Sequence, residues 1–161
     1  MEINQDAPLV ARKEIFIQAQ PQVVWKIHTD INSWSRWQPG IASSKLDGPL
    51  TAGAVFQWKP GGMTINSTIE VVEPNERIGW TGTAIGTQAR HIWTLKPQKD
   101  GALLTTEESM DGWLTRALKV MMPRFLEESL DTWLQSLKKQ SETESSRKDK
   151  VLPSRKGIGT M

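Results

Sequence analysis

The chain contains no cysteine, which excludes disulfides, thiolate metal sites and a cysteine nucleophile. Histidine is scarce, with His28 and His91 alone. No HExxH pair, Gly-rich phosphate loop or nucleophile–base motif occurs, so metal and nucleotide chemistry have no support and no cofactor is expected. Apolar runs are short as well. Nowhere do about eighteen apolar residues follow one another, and the first twenty residues, MEINQDAPLVARKEIFIQAQ, lack an apolar stretch after a basic start. These absences predict a cytoplasmic protein without stable membrane insertion.

Excess charge is also missing from most of the chain. The sequence pI of 9.0 would suit a nucleic-acid binder, but the charge is in the wrong place. From Ser141 onward there are five basic residues (Arg147, Lys148, Lys150, Arg155, Lys156) against three acidic (Glu142, Glu144, Asp149), which accounts for the whole formal net charge of +2. The neutral body lacks the positive charge that phosphate contacts bring, so nucleic acid is not an expected partner. The segment 141–161 is polar and carries Pro153, Gly157 and Gly159; it is expected to be disordered, because it cannot bury enough apolar surface to order itself.

What is present organises the remainder as one domain. The 161 residues show no internal repeat and suffice for one substantial core. An N-terminal extension over 1–10 precedes a body over 11–140. Alternation of Ile15 and Ile17 with charged neighbours predicts a strand over 11–19. Pro21 then opens a short helix whose last residues include His28, a position where the helix dipole favours a positive charge. The stretch DINSWSRWQPG, residues 30–40, puts Trp34 and Trp37 on one face of a further helical turn, with Asp30 placed to cap it and Pro39 ending it. Turn signals at Asp47-Gly48-Pro49, Pro60-Gly61-Gly62, Glu73-Pro74-Asn75, Gly86 and Asp100-Gly101 then separate strands over 41–47, 54–59, 63–72, 76–84, 87–96 and 102–110. Such spacing predicts an antiparallel meander. From Trp113 to about Gln140 apolar residues recur every three or four positions, which predicts one amphipathic helix, kinked at Pro123 at a cost of about 3 kcal/mol.

The fold class is therefore α+β: a curved antiparallel sheet of about seven strands, two short helices after the first strand, and a long C-terminal helix across the sheet. Several motifs carry a resemblance in addition. They are VW at 24–25, the D...W..W.P pattern from Asp30 to Pro39, Gly53, Trp80, HIWTL at 91–95, DG at 100–101, TEES at 106–109 and LQSLKK near the helix end. In this order they resemble the START-like, or SRPBCC, superfamily, and within it the polyketide cyclase/dehydrase branch, over about residues 10–140. The resemblance implies a helix-grip fold with a cavity between sheet and helix. It leaves function open, because members range from lipid and hormone carriers to cyclases and chaperone activators.

Strand alternation selects the side chains that face such a cavity. Trp93 and Leu95 inward bring His91 with them; Leu104 and Met110 inward bring Thr106 and Glu108, whereas the opposite register, with Leu103, Thr105, Glu107 and Ser109 inside, buries less apolar area. Phe56, Trp58, Ile65, Ile69, Ile78 and Trp80 extend the wall, and Leu118, Met122 and Phe125 form a helical lid. Trp37 is expected at the cavity mouth, with Trp34 beneath the helices beside Trp25. Taken singly, each apolar residue reads as packed core. His91 and Glu108 are the candidate acid/base pair. Against that stands a structural alternative: His91 hydrogen-bonds within the sheet, and Glu108 pairs with Arg90 or Arg116 or lies exposed.

Three functions fit. One is binding, for transport, sequestration or sensing, of a small hydrophobic molecule such as a lipid, polyketide or aromatic metabolite, by a monomer or homodimer. Another is a cyclase or dehydratase-like lyase using His91 and Glu108 without metal or nucleotide. The last is a chaperone-activator-like interaction module, which needs an exposed apolar patch and no enclosed cavity.

Overall fold

The computed structural model describes residues 1–151. Strand β1 (Leu9–Ile17) is followed by helix α1 (Pro21–Thr29), a 3-10 turn (Ile31–Ser33) and the short helix α2 (Trp34–Trp37). Six strands come next: β2 (Ile41–Leu46), β3 (Val55–Pro60), β4 (Ile65–Glu73), β5 (Arg77–Ala84), β6 (Thr87–Gln98) and β7 (Gly101–Asp111). Helices α3 (Trp113–Met121) and α4 (Phe125–Val151) complete the order. The strands form one antiparallel sheet in the order β1-β7-β6-β5-β4-β3-β2, curled into a half-barrel. Each of the seven observed strands lies within two residues of its expected limits, because turn chemistry marks the boundaries. Asn75 and Asp100 take positive φ at two hairpin turns, a conformation that Asn and Asp tolerate better than other side-chain-bearing residues.

The concave face of the sheet holds the core. Ile17, Phe56, Trp58, Ile69, Ile78, Trp80, Trp93, Leu95, Ala102 and Leu104 are buried there, and α4 closes over them with Trp133, Leu134 and Leu137. On β7 the register that carries Leu104 and Thr106 inward is the one observed. The convex face is crossed near its middle by the N-terminal segment: Met1 O accepts from Arg77, Glu2 O accepts from Arg90 at 3.3 Å, and Asn4 N–H donates to Ser109 Oγ at 2.9 Å. The Met1 thioether rests where a Cβ on Gly79 would stand, 2.9 Å away.

Three local expectations are corrected. Asp30 sits at the start of the 3-10 turn, but its side chain makes no capping hydrogen bond. The C-terminal helix is broken rather than kinked: Met122, with φ −139° and ψ 68°, leaves the helical region, because the ring of Pro123 disfavours helical backbone at the residue before it. The final helix also continues through Val151, past the point where disorder was expected. Lys138 Nζ and Glu142 Oε1 meet at 2.7 Å, Glu142 also accepts the Gln18 N–H at 2.9 Å, Lys138 donates to Phe16 O at 2.7 Å, and Ser141 is fully buried. These contacts tie α4 to the end of β1. Residues 152–161, the rest of that segment, lie outside the described residues. None of the described helices is long and apolar enough to cross a membrane.

Candidate ligand cavity

The inner face of the sheet is built in cross-strand rows. One row runs Ile78–Trp93–Thr106 and the next Ile69–Trp80–His91–Glu108. Bulky side chains fill both. The following row is Ser67–Gly82–Ala89–Met110, and three small residues in succession leave space that the helices do not refill. A cavity of about 380 Å³ lies there. Its floor is Ser67, Gly82, Ala89 and Met110, its inner wall is Trp58, Trp80 and Glu108, and Leu118, Phe125 and Ser129 cover it from α3 and α4. Met63 in the β3–β4 turn stands at its edge.

Glu108 is the one ionisable side chain among the lining residues. It keeps 15% of its exposure, and its Oε2 is 3.5 Å from His91 Nδ1, long for a hydrogen bond. The other ring nitrogen, Nε2, is 2.8 Å from Thr106 Oγ1. Burial pushes the Glu108 carboxyl up to about 8, while burial, and secondarily the neighbouring His28, hold His91 well below its ordinary value. At neutral pH the pair is therefore a protonated carboxyl beside an uncharged imidazole, not an ion pair. Arg90 is on the opposite face with Glu2, so it does not serve as the Glu108 partner. Ser67 Oγ accepts the Trp58 indole N–H at 3.1 Å, leaving its own proton free to donate.

His28 corrects the helix-dipole expectation. It is buried, with its ring centroid 4.5 Å from Trp93 and 5.9 Å from Trp80, and burial lowers its pKa to about 3. A neutral imidazole gains nothing from the dipole.

Of the residues expected around the cavity, the structure brings together Trp58, Ile65, Trp80, Glu108, Met110, Leu118 and Phe125. Ile69, Trp93 and Thr106 are buried in the filled rows, Phe56 is buried opposite Ser67 but outside the lining, and His91 stands behind Glu108. Met122 is turned out to solvent by the break at Pro123. Trp37 is not among the lining residues; its ring packs edge-on to Trp133 at 5.8 Å. Trp34 is fully buried among Phe56, Trp58, Trp80 and Trp133, and its indole N–H donates to His28 O at 2.8 Å. Sequence reasoning missed Ser67, Gly82 and Ala89. Carrying the inward alternation two residues past Trp80, and two residues back from His91, would have found the last two. No group of three or more His, Asp or Glu among the described residues could hold a metal ion.

The family described as polyketide cyclase / dehydrase and lipid transport matches residues 9–142. No curated protein matches the sequence. Solved structures with the same architecture include a hypothetical protein from Helicobacter pylori, with 19% identity and a TM-score of 0.77, covering 86% of this chain and 91% of that one. A START superfamily protein from Mycobacterium smegmatis is 13% identical with a TM-score of 0.67, covering 86% and 97%. The Zhui aromatase/cyclase from Streptomyces sp. R1128 is 13% identical with a TM-score of 0.68, covering 83% and 93%. At these identities the likeness is one of fold, and it is the helix-grip fold that the sequence motifs imply.

Proposed function

Since the chain belongs to the polyketide cyclase / dehydrase and lipid transport family, we propose that it binds a small hydrophobic molecule in the cavity between the sheet and α3–α4. The observation that carries this reading is the row Ser67–Gly82–Ala89, which opens about 380 Å³ of mostly apolar space in an otherwise filled core. That volume is within the ~300–1,000 Å³ common to small-molecule sites. Glu108 and the Ser67 hydroxyl supply two polar anchors, the combination that orients an otherwise apolar ligand. A cavity of ligand size also argues against a chaperone-activator-like module as the primary role.

The test is native mass spectrometry of the purified chain for a co-purified small molecule, paired with thermal shifts against lipids and aromatic polyketides. Binding should raise Tm as the logarithm of ligand concentration, and Ala89→Phe, which fills the space, should abolish the shift while the fold persists. A chain that carries nothing and shifts with no compound would overturn the reading.

One observation favours a cyclase or dehydratase activity as a second reading. Glu108 faces the cavity with a pKa of about 8, so near neutrality it can give or take a proton, as enolisation at a ketone requires. His91, behind it and held by Thr106, is then a positioning residue. Turnover of a ketide surviving both Glu108→Gln and His91→Gln would remove this reading.

A further inference from the structure

Helix α3 is apolar on two sides. Leu114 and Leu118 turn toward the protein, and Leu118 lines the cavity. The solvent side carries Trp113, Ala117, Val120 and Met121, spaced i, i+4, i+7 and i+8, so they form one continuous stripe. Trp113 is 68% exposed, Val120 83% and Met121 77%. Met122 at the helix end, Ile85 in the β5–β6 turn and Met63 in the β3–β4 turn are exposed too. A surface depression lined by Met63, Ile85 and Leu114 connects these turns to α3. Most of the exposed large apolar side chains of the described residues are thus gathered around one end of the cavity. A monomeric protein leaves so much apolar surface together where something docks.

Charge identifies what docks. Between Gly112 and Leu126 there are three basic residues, Arg116, Lys119 and Arg124, and no acidic one. Arg124 is shared with Glu128 at 3.9 Å. Arg116 and Lys119 lie along one edge of the stripe, both exposed. A helix with tryptophan and aliphatic side chains outward and cations at the margin matches an interfacial helix on an anionic bilayer: the apolar face enters the headgroup region while the cations meet lipid phosphates. A second copy fits less well, since stacking two such faces would bring four cations together.

We propose that the α3 face docks on anionic membrane surfaces and presents the neighbouring end of the cavity to the bilayer.

The experiment is cosedimentation of the full chain with phosphatidylcholine vesicles, with and without about 30% phosphatidylglycerol. The anionic vesicles should pellet the protein, and raising salt from about 0.1 M to about 0.5 M should release much of it. Val120→Glu/Met121→Glu changes two highly exposed side chains, so the fold should survive, checked by circular dichroism; vesicle affinity should fall by about tenfold or more. Arg116→Glu/Lys119→Glu should erase the preference for anionic lipid. Wild-type protein left in the supernatant with both vesicles would overturn the proposal, as would binding unchanged in the two double variants. A dimer in sizing chromatography that Val120→Glu/Met121→Glu converts to monomer would also overturn it, by showing that a second copy covers the face.

Discussion

Trp34 holds together parts of the chain that are distant in sequence. Its ring contacts Phe56 and Trp58 on β3, Trp80 on β5 and Trp133 on α4, and its N–H closes onto His28 O. Trp34→Ala should therefore cost about 3–5 kcal/mol, measured by urea unfolding. Trp37, three residues on, is only partly buried against Trp133, and its indole N–H has no partner among the described residues. Trp37→Ala should cost less than the Trp34 change and leave cavity binding unaltered; a loss of ligand affinity at unchanged stability would return Trp37 to the cavity mouth. Helical spacing was enough to put the two rings on one side of the chain. It could not rank them, because the rank depends on β3, β5 and α4 arriving around position 34.

At the scale of elements, strands were legible and the C-terminal helices were not. Strands β2 to β6 each end at a turn residue that acts locally, so Gly48, Asn75 and Gly86 leave a mark in the sequence itself. The ring of Pro123 breaks the helix locally, and a proline within a helical pattern does not by itself tell a kink from a break; the continuation past Ser141 depends on contacts across the molecule. Composition alone makes residues 141–151 look unable to order. In the structure Glu142 reaches back 124 residues to Gln18, and Lys138 steadies it. Burial by itself would raise the Glu142 carboxyl, but its hydrogen bonds to Lys138 and to the Gln18 N–H, with the Lys138 charge, hold it below its ordinary value. Glu142→Ala should thus cost about 0.5–1.5 kcal/mol, and deleting 141–161 should lower Tm by several degrees, at roughly 2–4 °C per kcal/mol for a domain of this size. Calorimetry showing no change for either variant would mean that α4 is secured by its earlier turns alone. The cavity was half legible for a related reason: alternation finds the large side chains of its wall, but the space arises from small residues that show no pattern until the strands are in register.

For the whole molecule, two buried histidines and the partly buried Glu108 shape stability against pH, and they pull in opposite directions. His28 falls from 6.5 to about 3 on folding, and His91 is lowered as well, so below about pH 6.5 the unfolded chain binds protons that the folded chain refuses. Stability contributed by these two is complete above that pH and is lost as pH falls. Glu108 rises from 4.5 to about 8; between those values the folded chain holds a proton that the unfolded chain has released, and stability declines as pH rises toward 8. Around pH 5 the two histidines outweigh the one carboxyl, while above about 6.5 only Glu108 acts. The unfolding free energy should therefore peak near pH 6.5 and fall toward pH 8 by at most about 1.4 kcal/mol per pH unit, less in proportion to the water that the cavity admits beside the carboxyl. Glu108→Gln keeps the shape and cannot ionise, so it should abolish the alkaline decline and add about 1–3 kcal/mol at pH 8, leaving the acid limb of the histidines in place and steeper. Urea titrations of both proteins from pH 5 to pH 9 separate these contributions, and an alkaline decline that persists in Glu108→Gln would assign it to a group outside the cavity.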